Sequence, residues 1–460
     1  MKILTADIGS TFTKLTAIDT DREEIIATAS SFTTIETDVM EGFRAALGKL
    51  EQKAGGFQYD ELLCCSSAAG GLKMVALGLV PELTVKAAKL TAASAGAKVV
   101  KTYSFEISQA EIEEIETINP DLVLLSGGTD GGNKEVIIAN ARHLSRINLP
   151  FSVIVAGNKS AASEVAEIFS KVGKTFVITE NVMPEFNKLN IEPAKKKIAE
   201  LFISRIVEAK GLSRIQGLSK ADIIPTPLAV LNACELLSRG TPANPGIGDL
   251  MAVDLGGATT DVYSISEGKP TLENVTVRGL PEPFNKRTVE GDLGMRYSLH
   301  ALVDEIEWSS FTEETGLSKE SVSRWLKTVT ENPETLTLPG TVEEKVERSV
   351  ARFAVKSAVE RHCGTYRPVY TPFGQVFALT GKDLSAIPYI IGVGGAIIHA
   401  ANPQEILEGA KRETDDYFYA KPHNPAYGID DEYIFASMGL LGAVYPDLAL
   451  RFLKKIKDKR

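Results

Sequence analysis

Apolar positions along the chain fall into two rhythms. Around residues 2–9, 13–20 and 24–32 they alternate with polar ones, the period of half-buried strands, which predicts an antiparallel meander. Val39, Phe43, Ala46, Leu47 and Leu50 then recur at helical spacing and mark an amphipathic helix. A strand over 61–66 follows, then a small-residue turn over 68–72, and Thr84 is positioned to cap a helix running to Ala95. From about 96 to 215 the rhythm changes. Strands near 99–105, 121–126, 151–156 and 175–179 alternate with helical stretches over 109–118, 134–145 and 160–172, a βαβ order that predicts a parallel sheet carrying helices. Ile198, Leu201, Phe202 and Ile206 share the inward side of a helix over 195–207 that returns the chain from this insert. Residues 300–363 read as helical and charged, and further helices run from Asp430 onward.

One pattern occurs twice. Residues 3–18 read ILTADIGSTFTKLTAI and residues 250–265 read LMAVDLGGATTDVYSI. Each is an apolar strand ending in Asp-x-Gly, then small hydroxylic residues, then a second alternating strand. Gly9, Gly256 and Gly257 carry no Cβ, so backbone N–H groups can approach a polyphosphate closely. Asp7 and Asp254 are expected to face one cleft and hold a hydrated Mg2+, an ion that takes one or two carboxylates plus phosphate and water. A single Asp-Gly hairpin is common in ordinary sheets. The second copy gives the pattern its weight. A third segment, residues 388–400 (PYIIGVGGAIIHA), is a buried strand, a turn at Gly392, Gly394 and Gly395, and the start of an apolar helix. There a base and ribose could lie against backbone.

At 460 residues the chain has room for at least two domains. A net charge of −10 argues against nucleic acid as the main partner, because phosphate backbones select clustered positive charge. The one basic cluster, Lys454, Lys455, Lys457, Lys459 and Arg460, reads as a solvated helix tail. The chain enters a strand almost at once, so no signal peptide is expected, and no apolar run reaches the roughly 18 residues that span a bilayer. Cys64, Cys65, Cys234 and Cys363 lack metal-ligand spacing, and the five histidines form no HxxxH pair. Reduced thiols in a cytoplasmic protein are the simple reading.

These three segments resemble, in order, the phosphate-1, phosphate-2 and adenosine motifs of the actin-like ATPase superfamily of actin, sugar kinases and heat-shock chaperones. The resemblance implies an α/β, two-lobed, ribonuclease H-like fold with a nucleotide cleft, ATP and Mg2+ as cofactors, and an inserted α/β subdomain. It makes Gly9, Ser10, Thr11, Lys14, Gly256, Gly257, Thr259, Thr260, Gly392, Gly394 and Gly395 nucleotide-binding candidates. Asp7 and Asp254 become the metal ligands and, with Thr259, the catalytic candidates; Lys14 follows Asp7 at actin's spacing. Residues 225–229 (PTPLA) and 431–444 resemble the chaperones' two connecting helices, with Thr226 where those carry a glutamate. The expected organisation is a first lobe over 1–95, the insert over 96–215, a connecting segment over 216–248, a second lobe over 249–425 with a lid-like helical part, and C-terminal helices over 426–460 returning to the first lobe.

Within that superfamily, LVLLSGGTDGG (residues 122–132), RTVEGDLGMR (287–296) and the GVGGAI turn resemble the glutamate (methylaspartate) mutase accessory proteins, GlmL or MutL. This implies a slowly hydrolysing ATPase, a reactivating chaperone whose partner is a cobalamin-dependent mutase; a homo-oligomer is an allowed state. A small-molecule kinase is the rival, with Asp292 or Asp261 as its base. An actin-like scaffold is another, and an electron-transferring dehydratase activator is disfavoured because its cluster cysteines have no counterpart. Some residues keep two readings. Asp261 is an outward charge or part of the metal shell, and Glu290 and Asp292 touch the nucleotide site or pair at a helix N-cap. The loop Ser126–Lys134 is a structural turn or a second ligand or partner site; it is not a Walker A loop, because Asn133 stands where the lysine would be.

Overall fold

The computed structural model describes the chain except residues 35–37, 68–72, 210–211, 336, 373, 415 and 459–460, and the side chains of 202–209 and 457–458. The turn expected over 68–72, the inward placement of Phe202 and Ile206, and the extreme end of the basic tail lie outside the described residues. The rest falls into two compact units, Met1–Val230 with Gly279–Pro281, and Leu231–Arg278 with Glu282–Arg460.

The first unit holds β1 (Lys2–Ile8), β2 (Phe12–Asp19), β3 (Glu24–Phe32), β4 (Glu61–Ser66), β5 (Lys73–Gly78), β6 (Lys98–Ser104), β7 (Leu122–Leu125), β8 (Ser152–Val155), β9 (Phe176–Ile178) and β10 (Ile224–Pro225). They form two sheets, ordered β10-β4-β1-β2-β3 and β6-β5-β7-β8-β9. The predicted meander is present: β1, β2 and β3 pair antiparallel, while β4 lies parallel to β1. The helix Val39–Ala54 starts where the Asp38 carboxylate accepts the Met40 N–H and ends at Gly55 in the left-handed region, and it buries Phe43, Ala46 and Leu50. The insert is wholly parallel, as the βαβ rhythm predicts. One of its inner strands, β5, was not anticipated. Met74 and Ala76 pack into one core and Val75 and Leu77 into another, so the strand reads as a continuous apolar run with no alternation. Thr84 does not cap a helix either. A wide turn over Pro81–Val85 already leads into the helix Lys86–Ser94, and the Thr84 hydroxyl accepts the Leu79 and Val80 N–H groups at 2.7 and 3.0 Å.

The second unit holds β11 (Leu250–Leu255), β12 (Thr260–Ile265), β13 (Val275–Arg278), β14 (Asn285–Glu290), β15 (Thr365–Thr371), β16 (Gly374–Thr380), β17 (Tyr389–Val393) and β18 (Ala426–Ile429). Its main sheet runs β14-β12-β11-β17-β18. β11 and β12 pair antiparallel, as do β12 and β14, while β17 lies parallel to β11 and β18 parallel to β17. Strand for strand this repeats β3-β2-β1-β4-β10. The duplication legible in the sequence as one hairpin therefore extends to a five-stranded sheet, and the twice-built sheet is the ribonuclease H-like fold of the actin-like class. Residues 300–363 are helical as expected, in Leu299–Asp304, Trp308–Thr315, Lys319–Glu331 and Val342–His362. A small sheet, β13-β16-β15, was not foreseen. Residues 426–460, expected to return to the first lobe, group with the second unit instead: β18 pairs β17, and Asp447 accepts from Thr241 and Asn244.

Candidate functional site

The first turn is built by the carboxyl ends of three parallel neighbours. β1 ends at Asp7 and Ile8, β4 sets Cys65 opposite Asp7, and β10 sets Pro225 opposite Ser66. Gly9 N–H closes the turn on Phe12 O at 3.0 Å. Asp7 is only 6% exposed. Its Oδ1 accepts from the Thr226 hydroxyl at 2.7 Å and the Cys65 thiol at 3.5 Å, while its Oδ2 lies 3.7 Å from Lys14 Nζ. Ser10 and Thr11 are half-buried at the turn. Five of the predicted residues, Asp7, Gly9, Ser10, Thr11 and Lys14, thus share one hairpin. Thr226 and Cys65 were missed as partners of Asp7. The resemblance marked Thr226 only as the place where a glutamate is absent, and no local pattern links it to a residue so distant in sequence.

The second turn repeats this backbone. Gly256 N–H donates to Thr259 O at 3.0 Å, and Asp254 sits opposite Asp261 as Asp7 sits opposite Lys14. β17 brings the glycine turn alongside: Asp254 pairs with Val393, and a Cβ on Gly394 would lie 2.6 Å from Asp254 Oδ1 and 2.4 Å from Leu255 O. Gly394 also has φ +90°, so glycine is required twice over. Gly392 serves packing, since a Cβ there would meet Ile397 and Leu407 at 2.9 Å. Gly395 borders Tyr433, whose hydroxyl shares a 2.9 Å hydrogen bond with His399 Nε2. The segment 291–298 is laced onto the turn: Met295 N–H reaches Gly256 O, Arg296 and Tyr297 N–H reach Gly257 O, and Ser298 Oγ donates to Ala258 O.

Several side-chain expectations need correction. Asp261 is not an outward charge. It is buried, paired with Arg287 at 2.5 Å, and accepts the Thr259 hydroxyl at 3.0 Å. Thr260 is fully buried, on a strand buried along its whole length, and donates to Leu293 O at 2.6 Å; its hydroxyl is not available to a phosphate. Thr259 keeps its half-exposed place at the turn. Glu290 and Asp292 both pair with Arg361, at 2.9 and 2.8 Å, and Glu305 binds the other end of the same guanidinium. Partial burial pushes the Asp292 carboxyl up, but Arg361 and the backbone outweigh it and hold it below the usual carboxylate range.

The glycine loop after β7 is a built turn. Asn158 accepts the Gly131 N–H and donates to Gly132 O and Asn133 O, while Asn181 donates to Gly128 O and Asp130. In open parallel sheets ligands favour the crevice where strand order reverses, here between β5 and β7. The chain fills that place itself: a Cβ on Gly78 would meet Val85 N at 2.6 Å, and Ser126 Oγ donates to Leu77 O. All four cysteines are buried and unbridged, and burial pushes the Cys64 and Cys234 thiols far up. No helix among the described residues is long and apolar enough to cross a membrane.

Comparison with known proteins gives the family. Among solved structures the chain is similar to the activator of the 2-hydroxyisocaproyl-CoA dehydratase from Clostridium difficile with bound ADPNP, at 10% identity and TM-score 0.31, covering 100% of this chain and 98% of that one. It is similar also to ligand-bound xylulose kinase from Lactobacillus acidophilus, at 10% identity and TM-score 0.35, covering 99% and 92%. The fold rests on the duplicated sheet. Protein MutL of Clostridium tetanomorphum is 47% identical over 455 residues, 98% of either chain. A family model described as MutL protein matches residues 3–456, and the chain belongs to that family.

Proposed function

We propose that the chain binds ATP with Mg2+ through its two Asp-led turns, hydrolyses it slowly, and uses the change of state as an accessory, reactivating factor for a cobalamin-dependent mutase. The observation that carries the reading is the duplication: each unit ends its central strand in an aspartate followed by a closed glycine turn. The donor set suits the ion. Asp7 and Asp254 offer hard oxygens, and Mg2+ takes one or two carboxylates while phosphate and water would complete the shell. Glycine at 394 lets the third segment's turn lie directly against Asp254 and Leu255, where a Cβ would clash at 2.6 and 2.4 Å, and so keeps that turn beside the second Asp-led turn. Bound there, Mg2+ would supply neutralisation of phosphate charge. The chain's own part is to hold Asp7 by Thr226, to offer Lys14 to the phosphates, and to present backbone N–H groups and Thr259 at the turns. Moving a two-state protein from 1:99 to 99:1 takes about 5.5 kcal/mol of differential binding, within reach of γ-phosphate contacts.

The mutase as partner is drawn from the family resemblance to glutamate mutase accessory proteins. A kinase reading has lost its candidate bases: Asp261 is committed to Arg287 and Thr259, and Asp292 to Arg361. ADP release is to be measured with and without the mutase and across a panel of sugars and acids. Asp7→Asn and Asp254→Asn should each remove Mg2+-dependent release while far-UV circular dichroism stays unchanged. Wild-type turnover in both variants refutes the nucleotide site, and phosphate transfer to a panel compound replaces the accessory role with a kinase.

A further inference from the structure

Asp7 is almost closed off from solvent, and its two oxygens are treated differently. Oδ1 receives the Thr226 hydroxyl at 2.7 Å and the Cys65 thiol at 3.5 Å; Oδ2 receives neither and faces the Lys14 ammonium at 3.7 Å. A carboxylate only accepts, and a threonine hydroxyl has one proton, so the Thr226 proton is directed at Asp7. That proton is spent on Asp7, and a threonine hydroxyl is no base, so Thr226 cannot take a proton from water, the task the resemblance gives to a glutamate at this place. The backbone holds Thr226 as firmly as its hydroxyl. Residue 226 follows directly on β10, whose Pro225 is in register with Ser66 of β4, and β4 is in register with β1 through Asp7. Three parallel strands thus fix the donor and the acceptor against one another.

We infer that Thr226 is a positioning residue for Asp7: by occupying Oδ1 it fixes the carboxylate rotamer and leaves Oδ2 as the oxygen that serves the metal. The inference rests on the nucleotide reading above. Partners that orient a metal-ligating group are worth about 10- to 100-fold in metal affinity. Thr226→Val keeps the shape and removes the proton donor, whereas Thr226→Ser keeps the donor.

The test is binding, not turnover. A fluorescent ATP analogue is titrated onto the full chain with increasing Mg2+ and, separately, in EDTA. Thr226→Val should raise the Mg2+ midpoint about 10- to 100-fold and leave nucleotide affinity in EDTA unchanged. Thr226→Ser should stay near wild type. An unmoved midpoint in Thr226→Val overturns the inference, as does an equal loss of affinity with and without Mg2+, which would make the residue merely structural. Asp7→Asn separates the two levels. If it loses the Mg2+ response while Thr226→Val does not, positioning fails alone; if Asp7→Asn keeps the response, the nucleotide reading fails and the inference with it.

Discussion

In the first hairpin the residue across from the turn aspartate is Lys14; in the second it is Asp261. The backbones around them are alike, each with a glycine N–H bonded to the carbonyl three residues on at 3.0 Å. The side chains solve opposite problems. Asp7 has an ammonium 3.7 Å away that is 28% exposed, a contact near water. Asp254 stands beside a second carboxylate, and Asp261 survives burial because Arg287 comes in from β14, 3% exposed, to pair with it at 2.5 Å. Duplicated sheets can therefore keep a turn geometry while trading the charges that flank it. What repeats is the hydrogen-bonded path of the chain, and what diverges is where each hairpin finds its counter-charge.

The largest expected effect follows from that divergence. Arg287→Met leaves Asp261 buried without its partner and should destabilise the second unit by about 3–5 kcal/mol. Lys14→Met, at a partly exposed pair, should change stability by about 0–1 kcal/mol. Both tryptophans, Trp308 and Trp325, lie in the second unit, so urea unfolding followed by tryptophan fluorescence reads the damage where it is expected. Adding Asp261→Asn to Arg287→Met should recover much of the loss. Equal effects of the two single changes would mean that the hairpins are electrostatically alike after all.

How much of this was legible follows the same division. The hairpins, the meander and the parallel insert came from local periodicity, which strands and helices impose directly. The repeated sheet did not, because β17 and β18 are separated from β11 and β12 by over a hundred residues of helix and small sheet, and pairing across such a gap leaves no local mark. β5 was invisible for another reason: buried on both faces, it shows no alternation. At the candidate site, the turns that carry Asp7, Gly9, Asp254 and Gly394 were legible in the repeated segments, and Lys14 entered through the resemblance. The partners Thr226, Cys65 and Arg287 were not, since each comes from another strand or strand end. The outward reading of Asp261 and the phosphate-facing reading of Thr260 failed because a turn motif does not say that both faces of the following strand are buried.

A second contrast lies behind the hairpins. In the first, a part-buried contact joins two threonines: Thr13 Oγ1 and Thr33 Oγ1 are 3.0 Å apart. In the second, the fully buried His362 bridges Ser264 and Thr288, each at 2.8 Å. Burial first, and then the ammonium groups of Lys286 and Lys382, hold this imidazole well below its usual pKa. The unfolded chain therefore takes up a proton near pH 6.5 that the folded one refuses. The stability associated with neutral His362 is complete above that pH and is lost as pH falls below it, by up to about 1.4 kcal/mol per pH unit, until the folded pKa is reached. Urea midpoints by tryptophan fluorescence between pH 7 and 5 should show this slope, and His362→Gln should flatten it. A slope that survives the substitution would assign the sensitivity to other groups.

The smallest difference is in the turns themselves. A Cβ added at Gly9 would lie 2.7 Å from Phe12 O, whereas one at Gly256 would lie 3.1 Å from Thr259 O. Neither glycine has positive φ among the described residues, so the cost is one of contact and not of backbone region. Carbonyl oxygens held in a closed turn cannot swing away without breaking the glycine N–H bond. Gly9→Ala should therefore cost about 1–3 kcal/mol and Gly256→Ala about 1 kcal/mol or less, the range of mild overpacking. Thermal unfolding by far-UV circular dichroism compares them directly, because the first unit has no tryptophan. If the order reverses, the second turn is the more rigid of the pair, and the lacing of 291–298 onto it, through Met295, Arg296 and Tyr297, is the cause to pursue.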